Sequence, residues 1–163
     1  MSEWLPIPGW EGYYEVSDDR QVRSVPRIDR RGRKHPGGIK SQPANVRSGY
    51  RYVGLCRNGK SVLMTTHSAV MLAFVGPPNG LVVRHLDGNK ENNHLSNLAY
   101  GTSSENAYDT VLHGRNVNAA KTHCKRGHEF TDENIYRTAN GGRDCRRCMA
   151  IRSQWRRERK AAA

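Results

Sequence analysis

The sequence predicts an α+β protein assembled from small modules, and three observations predict it. Only 36% of the 163 residues are hydrophobic, while Gly and Pro number 16 and 7, so turns are frequent and the core is modest, divided among modules that share little of it. Segments of strand character recur between turn signals, the clearest being the pair that flanks Asn58-Gly59. Three cysteines and a histidine at the C-terminal end have the spacing of a metal element leading into a basic helix. The expected divisions are an N-terminal strand-and-turn module (1–30), a basic linker (31–48), a strand–loop–strand–helix core (49–115) and a Cys/His element with a basic helix (116–163).

Charge separates the same regions. The net charge is +12. Residues 1–19 carry five acids and no base, and residues 20–60 carry twelve Lys/Arg against one acid. Residues 61–120 are almost neutral, and residues 121–163 carry twelve bases against five acids. Two basic arms around a neutral middle suit a polyanionic partner, because each Lys or Arg set on a phosphate releases condensed counterions. No run approaches the roughly eighteen apolar residues of a membrane span, and "MSEWLPIPGW" lacks the basic-then-apolar order of a secretion signal. A soluble protein of the cell interior, cytoplasmic, is expected.

Taken in order, "EWLPIPGWEGYYEVSDDRQVRSVPR" is punctuated by Gly and Pro, turns at "SDDR" and holds a short strand at "QVRSV". Trp4, Trp10, Tyr13 and Tyr14 are its apolar anchors. Residues 27–48 carry seven bases and few apolar residues and read as an extended linker, disordered by itself, that could lie along a DNA groove. "YRYVGLCR" and "KSVLMTTH" form a hairpin on Asn58-Gly59, a pair suited to the left-handed φ of a two-residue turn. Pairing Arg57 with Lys60 sets Leu55 opposite Val62 and Val53 opposite Met64. "HSAVMLAFVG" is a short helix stopped by Gly76-Pro77-Pro78 and covers the hairpin's apolar face. Cys56, on the other face, is structural.

"GLVVRHLDG" is then a short strand ending in His85, followed by an Asn-rich loop, a second strand "NLAYGT" and a helix in "SSENAYDTVLHG" capped by Ser103 or Ser104 and stopped at Gly114. Asp87-Gly88, Asn92, Asn93 and His94 read as turn chemistry. His85 at a strand end, Asn97 opening the next strand and Asn106 in the first helical turn form a more specific set. Phosphodiester hydrolysis needs a base for water, a divalent ion for the phosphate charge and a group that holds the base. Histidine titrates near neutral pH, and asparagine oxygens serve the other two tasks.

"VVRHLDGNKENNHLSNLAYGTSSEN" resembles the HNH motif of the ββα-metal endonucleases, in the branch of phage and intron-encoded homing endonucleases. "WLPIPGWEGYYEVSDDRQVRSVPR" is similar to the small DNA-associated module that often precedes that motif, and "THSAVMLAFVG" to the helix between them. The resemblance covers residues 4 to 115 or so and implies a ββα-metal HNH core cutting double-stranded DNA, one strand per active site. It makes His85 the general base, Asn97 the residue that orients it and Asn106 a ligand of Mg²⁺ or Mn²⁺. One departure stands out: many members carry Asp or Asn just before the base as a second ligand, and this chain has Arg84. Either Asn106 holds the ion with water and phosphate oxygens, or Asp87 joins it, or activity is weak. Arg84 itself could bind the scissile phosphate and stabilise its charge.

At the C-terminal end, Cys124-x3-His128 and Cys145-x2-Cys148 are sixteen residues apart and form a Cys₃His zinc set, with His123 a second choice to His128. The helix that follows puts Cys148, Ile151 and Trp155 on a packing face and arginines over the rest. Expected DNA contacts are Arg27, Arg30, Arg31, Arg33 and Lys34 from the linker, and Arg146, Arg147, Arg152 and Arg156 from the helix; an acidic membrane or a helix-binding partner is the alternative for the latter. Two other functions stay open: an HNH-fold DNA-binding regulator without metal chemistry, and a nuclease of packaging, recombination or restriction. The chain leaves monomer or homodimer open as well.

Overall fold

A computed structural model describes residues 2–162. The chain forms two compact units, Met1–His113 and Gly114–Ala163.

In the first unit, strands β1 (Trp4–Pro6), β2 (Tyr14–Ser17) and β3 (Val22–Ser24) make an antiparallel meander. Leu5 lies opposite Val16, and Val16 opposite Val22. The β2–β3 turn is the expected "SDDR", closed by Arg20 N–H donating to Ser17 O, with Arg20 itself at φ 79°. Of the four expected aromatic anchors only Tyr14 is fully buried; Ile7, Val16 and Val22 complete the sheet's inner face. Trp4 is half-buried beneath the Arg23 guanidinium.

The basic stretch expected as an extended linker is built into the fold. Strands β4 (Arg27–Ile28) and β5 (Lys34–His35) form a small hairpin, and β6 (Gly38–Ile39) pairs with β3 as the fourth strand of the N-terminal sheet. Asp29 organises the hairpin loop: its carboxylate accepts from the Arg31 and Arg33 backbone N–H groups, the Arg33 side chain and His35. Those bonds, the Arg33 amide first, hold its pKa well below the usual carboxylate range. Composition alone hides this, because a two-residue strand needs only backbone partners, and Asp29 supplies the order that apolar residues do not.

Strands β7 (Tyr52–Arg57) and β8 (Lys60–Thr65) pair in the expected register, Arg57 with Lys60, Leu55 with Val62 and Val53 with Met64. Asn58 and Gly59 take φ of 53° and 77°. β7 is the inner strand: Val53 and Leu55 are fully buried, whereas Val62 and Leu63 of β8 are exposed. The Tyr14 hydroxyl ties β7 to the N-terminal sheet by accepting from Cys56 N–H at 2.9 Å and donating to Cys56 O at 3.1 Å. Helix α1 (Thr66–Phe74) buries Ala69, Val70 and Met71.

One core therefore joins Ile7, Tyr14, Val16, Val22, Val53, Leu55, Ala69, Val70, Met71 and Leu98. Each buried Val, Leu or Ile stabilises this unit by about 1.5–3 kcal/mol. The expectation of modules sharing little core does not hold here. Short strands bury one face each, and they do so against each other.

Strands β9 (Val82–His85) and β10 (Leu98–Gly101) form the antiparallel pair that carries the Asn-rich loop, with a 3₁₀ turn at Leu95–Asn97. Helix α2 (Ser103–Leu112) follows, and its cap is Thr102, not Ser103 or Ser104. The Thr102 hydroxyl accepts from Glu105 N–H while the Glu105 carboxylate accepts from Thr102 N–H, a capping box.

The second unit contains α3 (Val117–Ala120), the hairpin β11 (Ile135–Arg137) and β12 (Arg143–Cys145), and α4 (Arg146–Ala161). No helix among the described residues is long and apolar enough to cross a membrane.

Candidate active site and metal centre

His85 is the last residue of β9, paired across the ladder with Leu98 and only 7% exposed. Its Nε2 lies 3.0 Å from Asn93 Oδ1. Asn93 is wholly buried, and its Nδ2 donates to Glu91 O at 3.3 Å. An amide oxygen only accepts, so Nε2 carries the hydrogen of the neutral ring and the lone pair is on Nδ1. The ring is walled by Tyr50, stacked at 6.0 Å between centroids, and by His67, edge-on at 5.2 Å.

Asn93, which had read as turn chemistry, thus bonds His85 Nε2. Asn97, the residue expected to orient His85, fixes the backbone that follows it, its carbonyl accepting from Leu86 N–H at 2.9 Å. Its Oδ1 accepts from Asp87 N–H at 3.0 Å, and its Nδ2 donates to Asp87 Oδ1 at 2.9 Å and Asn92 O at 2.8 Å. Asp87 also accepts from Asn89 N–H and Asn92 Nδ2. Burial raises the Asp87 carboxyl, but the bonds from Asn92, Asn89 and Asn97 and the charge of His85 outweigh it and hold its pKa low. Both Asp87 oxygens thus serve the loop. The missed signal was the buried, apolar-like position of Asn93, which no local spacing reveals.

Arg84 points away from its neighbour, as alternation along a strand requires. Its Nε and Nη2 donate to Asp109 Oδ2 and Oδ1 at 2.7 and 2.9 Å, and Nη1 is 3.5 Å from Glu105. Gly101 makes this path possible: a Cβ there would collide with the Arg84 side chain and come within 2.9 Å of Glu105 Oε2. Helix α2 buries no residue; it is held to β9 by this fork of charges, and Asp109 is kept ionised by its bonds from Arg84. Arg84 is therefore committed to α2, in place of the expected phosphate contact.

The expected hard-ion set is not assembled. Asn106 is exposed on the first turn of α2 and offers a neutral oxygen, while the carboxylates of Glu105 and Asp109 face a guanidinium and Asp87 is engaged in its loop. Mg²⁺ asks for near-octahedral oxygen ligation, usually with one or two carboxylates. As folded, this corner gives it one amide.

The C-terminal set does fit an ion. Cys124, His128, Cys145 and Cys148 bring their ligand atoms within 4.8 Å of one another. Cys124 Sγ is 3.7 Å from Cys148 Sγ, and His128 Nδ1 is 3.6, 3.6 and 3.3 Å from the sulfurs of Cys124, Cys145 and Cys148. Zinc bonds of about 2.3 Å to sulfur and 2.0–2.1 Å to nitrogen give tetrahedral edges of about 3.8 and 3.6 Å. Backbone N–H groups of Arg126 and Cys148 point at Cys124 and Cys145. Burial and the facing thiols push Cys148 up to about 11, so ion binding there releases protons. His123, in contrast, is exposed and bonded to Thr122.

The expected DNA contacts fall in two places. In the first unit, Arg27 lies over Tyr13, Arg30, Arg31 and Lys34 are exposed, and Arg33 is paired with Asp29. Arg57 of the β7–β8 turn joins them around a groove of about 580 Å³ lined by Tyr13, Arg27, Arg30, Arg31, Arg33 and Arg57; the reading of the linker as a separate segment had left it out. In the second unit, Arg146, Arg147, Arg152 and Arg156 are exposed on α4. Trp155 does not pack as expected; it is 54% exposed beneath Arg126.

Residues 65–108 match the family described as HNH endonuclease, and residues 3–56 match the NUMOD4 motif. The chain carries an HNH endonuclease module. It is similar to DNA endonuclease I-HmuI of Bacillus phage SP01, 35% identical over 125 residues, 76% of this chain and 66% of that protein. An HNH endonuclease of Acanthamoeba polyphaga mimivirus is 34% identical over 71 residues, 43% of this chain and 22% of its own length. The solved structure titled "DNA binding and cleavage by the HNH homing endonuclease I-HmuI" matches with a TM-score of 0.57 and 33% identity, over 69% of this chain and 60% of that one. The HNH chain described here thus spans just under two thirds of the phage relative it matches.

Proposed function

We propose that this protein is a homing-type HNH endonuclease that hydrolyses phosphodiester bonds of double-stranded DNA with His85 as general base. The observation that carries the reading is the 3.0 Å bond from His85 Nε2 to the buried oxygen of Asn93. It fixes the tautomer, so Nδ1 takes the proton of the attacking water, and the imidazolium that forms keeps its bond to Asn93. Tyr50 and His67 hold the ring in plane. The Asn97–Asp87 staple keeps the loop that carries Asn93 in register.

DNA is bound chiefly through phosphates, by the arginine groove of the first unit and by α4. Zinc on Cys124, His128, Cys145 and Cys148 would pin the start of α4 and has a structural role there. Arg84 supports a second reading, a DNA-binding protein of the HNH fold whose ion site is closed by the Arg84–Asp109 pair.

Supercoiled plasmid incubated with purified protein and Mg²⁺, Mn²⁺ or EDTA separates the two. Conversion to open-circle or linear DNA by wild type and not by His85→Ala supports the nuclease and shows whether one strand or both are cut. No conversion of plasmid carrying a bound site, with a salt-sensitive mobility shift, supports the binder.

A further inference from the structure

Besides walling the His85 ring, His67 has a buried nitrogen that the chemistry above does not use. His67, on the first turn of α1, has its Nε2 3.1 Å from Thr65 Oγ1. That hydroxyl gives its hydrogen to Ser68 Oγ at 2.6 Å, so it accepts from His67, and His67 is the Nε2–H tautomer. Its lone pair is on Nδ1, and Nδ1 is buried with no hydrogen-bond partner among the described residues. Proteins seldom leave such an acceptor unmet outside functional sites. Its ring stands edge to face with His85, 5.2 Å between centroids at 85°, and Tyr50 packs on both rings.

We infer that His67 is a positioning residue that holds His85 in its proton-loaded state. Resting on the reading of His85 as base, the device works as follows. When His85 Nδ1 takes a proton from water, the new imidazolium is attracted by the electron-rich neutral ring 5.2 Å away, whose Nδ1 lone pair is buried without a hydrogen-bond partner among the described residues. For this His67 must stay neutral, and it does: burial first, then the charge of His85, press its pKa down to about 4. The other titratable groups facing His85 are Tyr50, with Lys90 over its ring, and Asp87.

The test uses the full chain with two substitutions, His67→Phe, which keeps the ring and removes the lone pair, and His67→Asn, which returns an acceptor near Nδ1. Nicking under single turnover and the NMR titration of the His85 ring are both recorded, with thermal melts to establish folding. The expected result for His67→Phe is a cleavage rate lowered about tenfold at unchanged DNA affinity and a His85 pKa lowered by about one unit, which corresponds to about 1.4 kcal/mol of attraction lost with the lone pair. His67→Asn recovers most of both. A His85 titration that is the same in wild type and His67→Phe overturns the inference. Because that titration needs no turnover, it decides the matter even for a protein that cuts nothing, an outcome that would sink the nuclease reading by itself.

Discussion

Replacing Asn93 by alanine should slow cleavage more than any other change in the Asn-rich loop apart from His85 itself. The substitution removes the oxygen 3.0 Å from His85 Nε2, from a position that is 0% exposed. A buried N–H left without an acceptor costs about 1–3 kcal/mol. Where that cost falls on the oriented ring, at about 1.4 kcal/mol per factor of ten it lowers the rate roughly five- to 150-fold. The assay is single-turnover nicking of supercoiled plasmid, with circular dichroism to show that the loop change has not unfolded the first unit. Asn93→Asp keeps an acceptor, so it should cut, with the acid limb of its pH–rate profile moved upward because the carboxylate favours the imidazolium. Wild-type cleavage by Asn93→Ala, or an Asn93→Asp protein as slow as Asn93→Ala, would refute the assignment.

Arg84→Asp should give the HNH module measurable Mn²⁺ affinity by electron paramagnetic resonance where the wild type has little, because Asp109 and Glu105 lose their guanidinium; equal affinity in both proteins would show that the pair does not close the site. A chelator that strips zinc, or Cys145→Ser, should melt the second unit and abolish its β11–β12 amide protection in hydrogen exchange while the first unit stays folded, since metal binding in such elements supplies folding free energy of about 10–16 kcal/mol; protection that survives would mean the thiols need no ion. Stability should also depend on pH through His67. Its folded pKa of about 4 lies below the ordinary histidine value, so its contribution is complete above about 6.5 and is lost as pH falls towards 4, up to about 3 kcal/mol in all. Urea melts of the first unit at pH 7 and pH 4 should therefore diverge more for wild type than for His67→Phe. Finally, Arg30→Ala with Arg31→Ala should reduce the slope of log K against log salt for duplex DNA by about 2 if both residues meet phosphate; an unchanged slope would move the footprint elsewhere.

Much of this protein was legible in the chain because its signals are local. Asn58-Gly59 specifies a hairpin and its register, since left-handed φ at both residues leaves few other turns, and the observed pairs are the expected ones. The Cys₃His spacing foretold four ligand atoms around one point because each pair lies within a single turn. His85 at the end of a strand before an Asn-rich loop pointed to the HNH module for the same reason. Tertiary structure alone decided which asparagine faces His85, since that depends on how residues 86–97 coil: Asn93 is carried inward and Asn97 is turned to Asp87. It also decided the fate of Arg84, whose partner Asp109 is 25 residues away on another element, and the union of Ile7 with Leu98 in one core. Spacing and propensity act over a turn or a strand pair, whereas burial and pairing of a side chain depend on everything that packs around it.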